Sequence, residues 1–127
     1  KQFSKGILIG NIAIVPRKST ETRYVYVIAD MLEAKILYDD VNLKQTAIMI
    51  AHHLAENNNV PADILDADVR FASAVFDIIN AKRHYRMAEK EKDDGQMFIY
   101  ENKFVIANEK ADNCKMEIQQ KFNNLFS

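Results

Sequence analysis

The chain has 127 residues, of which 48% are hydrophobic and 28% charged, and these values are ordinary for a globular domain with one core. We therefore expect residues 1–127 to form a single domain. The formal net charge of −1 gives no overall signature of a nucleic-acid-binding or membrane-surface protein, and the longest apolar runs are far too short to cross a bilayer. Cys114 is the one cysteine, so no disulfide can form within the chain, which suits the cytoplasm or another reducing intracellular compartment.

The first third of the sequence has the composition of β-strands. Residues 6–15 are β-branched and end at a proline, and they predict either one strand with a bulge at Gly10-Asn11 or two strands joined by a tight turn there. Residues 16–22 are polar and predict a loop. Residues 24–29 are the clearest strand, and because both of its faces are fairly apolar we expect it to be central.

A third short strand is predicted over residues 34–38, with a helical turn as the alternative, and two aspartates follow it. Asn42 then resembles an N-cap, because Gln45 stands three residues later as in a capping box. The helix that it opens is predicted to run to about Asn57, with leucine, alanine and isoleucine at helical spacing on its inner side.

Residues 61–92 predict one long helix, and the rest of the chain is organised around it. Pro61 suits a first helical turn, and polar residues at spacings of three and four form one narrow stripe that includes Asp66 and Arg70, an i,i+4 pair. The remaining surface of the first half is apolar, which is wider than the arc of about 100° that an ordinary surface helix needs. This half is therefore expected to pack against more than one element.

The second half of the long helix, from Lys82 onwards, is almost wholly charged. A continuous helix over residues 61–92 would span ~45 Å at ~1.5 Å per residue. A compact chain of this length has a diameter of roughly 36 Å. The charged end is therefore expected to overhang the body, with Gly95 as the stop.

The C-terminal third predicts a β-hairpin followed by a helix. Residues 96–100 and 103–107 are rich in aromatic and β-branched side chains and flank Glu101-Asn102 as the turn. Asn108 can cap the last helix, whose narrow apolar stripe consists of Ala111, Cys114, Ile118, Phe122 and Leu125.

The element order is thus β-β-(β)-α-α-β-β-α. This order predicts an α+β fold in which an antiparallel sheet of about four to five strands packs against three helices, one of them long and central.

Three groups of residues are candidate sites for chemistry. His52, His53 and Glu56 lie on one helical face and could offer an imidazole and a carboxylate to a metal, with Asp63 or Asp66 as a further ligand. Catalytic zinc sites usually need three protein ligands, so the favoured interpretation is a pair of solvated histidines near a helix C-terminus. We therefore predict no metal and no cofactor.

Two further patterns are weak. Glu33-x-Lys35 with Asp30 nearby is a fragment of the acidic-plus-lysine arrangement of metal-dependent nucleases, but the same spacing is common by chance. Cys114 falls on the predicted buried stripe, where a thiol is more often a core side chain than a nucleophile. No glycine-rich phosphate loop is present, since the chain has three glycines in total.

The charged half of the long helix carries the one local excess of basic residues. Lys82, Arg83 and Arg86 lie beside Tyr85, and such a segment can follow nucleic-acid phosphates. Acidic residues follow at once and the net charge is near zero, so this interpretation ranks second. It predicts a small nucleic-acid-binding regulator.

The first-ranked hypothesis is a non-enzymatic protein-binding or assembly module that acts as a homo-oligomer or as a subunit of a larger complex. The predicted interface uses Phe71 and Ile78 on the long helix and Phe122, Leu125 and Phe126 at the C-terminus. The expected partner is the chain itself or another protein, and no membrane partner is expected. No catalytic residue is predicted.

Overall fold

The computed structural model describes residues 6–20 and 23–127. It contains a four-stranded antiparallel sheet followed by three helices, which confirms the α+β class. The sheet is a meander in which each strand pairs with the next one along the chain. The strands are β1 (Ile7–Ile9), β2 (Ile12–Thr20), β3 (Arg23–Asp30) and β4 (Lys35–Val41), and the helices are α1 (Lys44–Ala55), α2 (Ala62–Lys90) and α3 (Asp94–Phe126).

A tight turn at Gly10 and Asn11 separates β1 from β2, so the second of the two arrangements predicted for residues 6–15 is correct. Ile9 pairs with Ile12 across this turn. Gly10 has a φ of 61°, which suits a two-residue hairpin and which glycine adopts without steric cost. A Cβ at this position would also lie 3.4 Å from the Ala55 Cβ at the end of α1.

The predicted loop over residues 16–22 is wrong for residues 16–20, which continue β2, while residues 21 and 22 lie outside the described part of the chain. Pro16 pairs with Tyr26 of β3. Among the described residues, β1 pairs only with the segment from Ile12 to Ile14, so β2 has a strand on one side at Pro16. A proline without an N–H is tolerated at such an edge.

β4 confirms the third strand but extends to Val41, so the two aspartates lie within it rather than after it. Arg17 of β2 reaches across the sheet, where its Nη2 donates to the Asp39 carbonyl at 2.8 Å and to Asp40 Oδ1 at 3.3 Å. The register between β3 and β4 shifts twice, as in β-bulges. These bulges and charges protect an edge strand from pairing with another chain.

One core lies between the sheet and α1. A transverse row of side chains, Ile7, Ile14, Ile28 and Tyr38, follows the strand register across all four strands and faces the helix. Ala47, Ile50 and Ala51 of α1 pack on it and are fully buried. The small residues of α1 allow the helix to approach the sheet closely.

The start of α1 differs from the prediction. The N-cap position is Leu43, without a side-chain cap, and Asn42 does not cap the helix. Instead the carboxylate of Asp68 in α2 accepts the Leu43 N–H at 3.0 Å and the Asn42 N–H at 2.8 Å. Asp68 is only 4% exposed, and its negative charge lies at the positive end of the α1 dipole.

α2 and α3 form a long antiparallel helical hairpin, so the β-hairpin predicted for residues 96–107 is wrong. The chain reverses at Lys92, which has a positive φ of 55°, and at Asp93, whose Oδ1 accepts the Gln96 N–H at 3.1 Å as the N-cap of α3. Gly95 therefore lies in the first turn of α3 rather than at the end of α2.

A seven-residue repeat of small side chains explains this hairpin. Ala67, Ala74, Ala81 and Ala88 are the buried residues that recur every seven positions on α2. They alternate with larger, mostly half-buried seam residues at spacings of three and four. The matching seam on α3 consists of Met97, Tyr100, Phe104, Ala107, Ala111, Cys114 and Ile118. Small residues at the seam let two helices pack toward the short end of the interaxial range of about 8–10 Å.

The base of the hairpin joins it to the body. Ile64 and Ala67 of α2 and Ile118 of α3 form a second core cluster with Met49 of α1, and Phe122 and Leu125 pack against it. Beyond Val69, α2 continues for roughly 30 Å to Lys90. We call residues 69–90 of α2 and 94–116 of α3 the distal hairpin, which projects from the body formed by the sheet and α1. The charged end of the long helix therefore extends beyond the body as expected, but α3 covers one side of this helix.

We predict that Asp68→Ala lowers the free energy of unfolding by about 3 kcal/mol, because two partly buried N–H groups lose a charged acceptor. Urea denaturation measures this change. Asp66→Ala, an exposed aspartate two residues away, is the matched control and should cost less than about 1 kcal/mol. Equal losses in the two variants would contradict the role assigned to Asp68.

We predict that Ala74→Leu destabilises the protein by about 1–3 kcal/mol, because the larger side chain does not fit at this buried position between closely packed helices. Ser73→Leu places the same side chain on an exposed position of α2 and should change stability by less than about 0.5 kcal/mol. Thermal unfolding followed by circular dichroism distinguishes the two. A stable Ala74→Leu variant would argue against the small-residue seam.

Candidate functional site

The distal hairpin exposes many large apolar side chains. Phe76 is 63% exposed on α2 and Phe98 is 69% exposed on α3. The others on the hairpin are Val69, Ile79, Met87, Ile99, Val105, Ile106 and Met116. Single exposed apolar residues are normal on any protein, but this concentration on one projecting element is typical of a surface that another molecule covers.

The residues predicted to form the interface lie in different environments. Phe71 and Ile78 are half-buried and occupy seam positions of α2, so only part of each side chain is available to a partner. Phe122 and Leu125 pack against the second core cluster. Phe126 is 44% exposed, and its ring centroid lies 4.8 Å from that of Phe122.

The predicted basic segment is on the surface of the distal hairpin. Lys82, Arg83 and Arg86 are exposed and line a shallow groove of about 350 Å³ together with Ile79, Met87 and Lys90. Tyr85 is half-buried at the seam and lines a second groove instead. The structure thus brings the three cations together and places the aromatic ring deeper between the helices.

This second groove, which we call the tip groove, runs between α2 and α3. It has a volume of about 230 Å³, and its lining is Ala81, Lys82, Tyr85, Arg86, Tyr100, Glu101 and Phe104. The Lys82 ammonium lies 5.5 Å from the centre of the Phe104 ring, within the range of a cation–π interaction. The α3 residues of this groove fell within the wrongly predicted β-hairpin, so the sequence pattern indicated only its α2 side.

The opposite flank of the hairpin has mixed charge. His84 stacks on Tyr100 at 4.9 Å, and the His84 Nδ1 lies 2.8 Å from the Asn80 carbonyl oxygen. A cavity of about 410 Å³ on this flank is lined by Asp77 together with Lys103 and Lys110. The Lys103 Nζ lies 5.8 Å from the centre of the Tyr100 ring.

His52 and His53, at the end of α1, do not lie together with enough other ligands to form a metal site. His52 Nε2 lies 3.7 Å from Glu56 Oε2, and its ring packs edge-on against Phe126 at 5.1 Å. Asp63 and Asp66, considered as further ligands, pair instead with Lys121 and Arg70. Within residues 6–20 and 23–127, no group of three or more His, Cys, Asp or Glu residues could hold a metal ion.

The acidic-plus-lysine pattern is a structural turn. Asp30 Oδ1 accepts the Leu32 N–H at 2.9 Å and the Glu33 N–H at 3.2 Å, which is how an aspartate stabilises the turn that follows it. Asn11 Nδ2 also donates to the same oxygen at 3.0 Å. The Asp30 carboxylate therefore stabilises the turn between β3 and β4.

Cys114 is buried on α3, at a seam position as predicted. Its Sγ lies 3.8 Å from Arg70 Nη1, and Arg70 also pairs with Asp66 at 2.8 Å and with Glu117 at 3.1 Å. The hydrogen bonds that Arg70 donates, first to Asp66 and then to Glu117, raise the pKa of Arg70 above its ordinary value. The predicted Asp66–Arg70 pair is confirmed, and it extends to α3.

The other face of the sheet is a second apolar surface that no described helix covers. The register aligns Leu8, Ala13, Ala29 and Ile36 in a row across all four strands, on the face opposite α1. Leu8 is 65% exposed and Ile36 is 63% exposed. Antiparallel sheets usually present polar side chains on such a face.

Comparison with known proteins does not assign the chain to a family: no protein-family model, no curated protein and no solved structure matches it. In the described part of the chain, no helix combines the length and the apolar character that a membrane span requires.

We predict that the pKa of Asp63 lies below its ordinary value of 3.8, because the Lys121 ammonium donates to Asp63 Oδ2 at 2.7 Å and favours the charged carboxylate. A lowered folded-state pKa contributes stability that is present above pH 3.8 and is lost as the pH falls through the folded-state value. NMR titration of the Asp63 carboxyl measures this value. In Lys121→Met the Asp63 pKa should rise toward 3.8, and an unchanged value would contradict the pairing.

Proposed function

We propose that the chain is a non-enzymatic protein-binding or assembly module, and that the projecting helical hairpin is its main binding surface. The observation that carries this proposal is the set of large apolar side chains exposed on the distal hairpin, with Phe76 and Phe98 as the largest. The chain would act either as a homo-oligomer or as a subunit of a larger complex.

The free energy gained by burying these apolar side chains supports a partner that covers the hairpin. Fully burying a side chain such as Phe98 is worth about 1.5–3 kcal/mol relative to leaving it exposed. Phe98, Ile99, Val105 and Ile106 repeat on the outer side of α3 over about two turns. A partner that covered several of them would gain enough free energy to offset part of the entropy lost on association.

The shifted pKa values do not add support for a catalytic site. Among the described residues, the groups with displaced pKa values are Asp63, Lys121 and Arg70, and all of them belong to ion pairs that link α2 to α3 near the base of the hairpin. Catalytic groups with displaced pKa values more often lie in a cleft, where burial is the cause.

The second candidate is a nucleic-acid-binding regulator that uses Lys82, Arg83 and Arg86. The groove that these residues share with Lys90 favours it, because four cations on one surface can neutralise phosphates. The net charge of −1 and the apolar residues among these cations make it the weaker proposal.

Native mass spectrometry of the chain purified from its own host, without chelator, tests the first proposal. We expect a defined complex, either homo-oligomeric or with another protein. The double variant Phe76→Glu/Phe98→Glu should release the monomer, because two buried charges would oppose the contact. A monomer at concentrations of about 0.1 mM, with no co-purified chain, would contradict the proposal.

The matched variant Leu8→Glu places the same charge on the open sheet face. If this variant releases the monomer and the hairpin variant does not, the sheet rather than the hairpin is the binding surface. A nucleic-acid mass that the charge reversal Lys82→Glu/Arg86→Glu removes would favour the second candidate.

A further inference from the structure

We propose that the tip groove binds an amphipathic α-helix of a partner protein, and that the apolar face of this helix is flanked by acidic residues. This inference rests on the proposed protein-binding function and specifies its site and its partner chemistry. Three features of the groove support it, namely the apolar floor, the two walls and the charge.

The floor of the tip groove is apolar and aromatic. Ala81 and Tyr85 of α2 face Phe104 of α3, and the alanine leaves space that larger seam residues would fill. The apolar residues of a third helix can insert between two antiparallel helices at such a seam, as in a three-helix bundle.

The walls carry apolar residues of their own. On α2, Ile79 is 43% exposed and lines the adjoining groove, which shares Lys82 and Arg86 with the tip groove. On α3, Phe98 and Val105 lie three positions before and four positions after Glu101, so they share its helical flank. A helix in the groove would therefore meet apolar side chains on both walls as well as at the floor.

The charge at the groove is predominantly positive. Lys82 and Arg86 line the tip groove against one carboxylate, Glu101, and the adjoining groove on α2, which shares these two cations, adds Arg83 and Lys90. None of these five residues has an ion-pair partner within 4.0 Å in the described part of the chain. Acidic residues beside the apolar face of a partner helix would pair with the free cations.

The dimensions suit a short helical contact. From Ile79 to Lys90 the α2 wall is about 16 Å long, which corresponds to about three turns of a partner helix. A nucleic acid would use the cations but would leave most of the apolar floor and walls uncovered. The opposite flank has a smaller positive excess than the two α2 grooves together, with Lys103 and Lys110 against Asp77.

Fluorescence anisotropy with designed peptides tests the proposal on the full chain. The probe is a fluorescein-labelled peptide of about three heptads with leucine at a and d and glutamate at e and g. The matched probe has lysine in place of every glutamate. We expect the acidic peptide to bind and the basic peptide to bind at least about tenfold more weakly.

Charge variants of the chain locate the site. Lys82→Glu/Arg86→Glu should weaken binding of the acidic peptide by about tenfold or more, while Lys110→Glu, on the opposite flank, should change it by less than about twofold. Glu101→Lys should tighten binding, and a gain cannot result from damage to the fold. Circular dichroism of each variant confirms that the hairpin is intact.

Several outcomes would overturn the inference. These are equal binding of the two peptides, no binding of either, or an effect of Lys110→Glu equal to that of the groove variant. A fluorescein-labelled single-stranded DNA is the third probe. If it binds more tightly than the acidic peptide and Lys82→Glu/Arg86→Glu abolishes this binding, the ligand of the groove is nucleic acid rather than a helix.

Native mass spectrometry separates the failure of this inference from that of the proposed function. If the natural complex persists in Lys82→Glu/Arg86→Glu and the acidic peptide does not bind, the protein-binding function stands and the tip groove is not its site. If the unaltered chain forms no complex, the function itself is wrong.

Discussion

The buried carboxylate of Asp68 is the contact on which the arrangement of body and hairpin depends. It lies on α2 yet accepts the backbone N–H groups of Asn42 and Leu43, where β4 turns into α1. A buried charge is stable only when it is hydrogen-bonded, and these N–H groups need an acceptor at the start of a helix without a side-chain cap. One side chain therefore fixes the base of the hairpin against both the sheet and the first helix.

From this base, the seam between α2 and α3 determines what the protein presents to its surroundings. Alanines at every seventh position of α2 let α3 pack closely along the seam. The larger apolar residues, such as Phe76 and Phe98, then lie outside the seam and remain exposed. The hairpin has a narrow seam and wide apolar flanks. It can therefore extend from the body while the apolar side chains on its flanks stay exposed.

The α2 side of the candidate site could be predicted from the sequence, and the α3 side could not. Lys82, Arg83 and Arg86 were recognisable as a local basic excess, because i,i+3 and i,i+4 spacing on a helix is visible in one dimension. Their apolar counterparts on α3 were not recognisable, since residues 96–107 are rich in aromatic and β-branched side chains that favour strands in isolation. In the fold, Met97, Tyr100, Phe104 and Ala107 continue the α3 seam, and packing against α2 overrides that preference.

The sequence by itself determined the α+β class, the first strands, the long helix and the core position of Cys114, because these follow from local periodicity and composition. Tertiary structure alone decided that residues 96–107 are helical, that polar residues 16–20 extend a strand, and that Asp68 rather than Asn42 serves the start of α1. Each of these depends on a partner in another element: α2 for the first, β3 for the second and the β4–α1 junction for the third. Local periodicity and composition describe one segment at a time and do not show which other element packs against it.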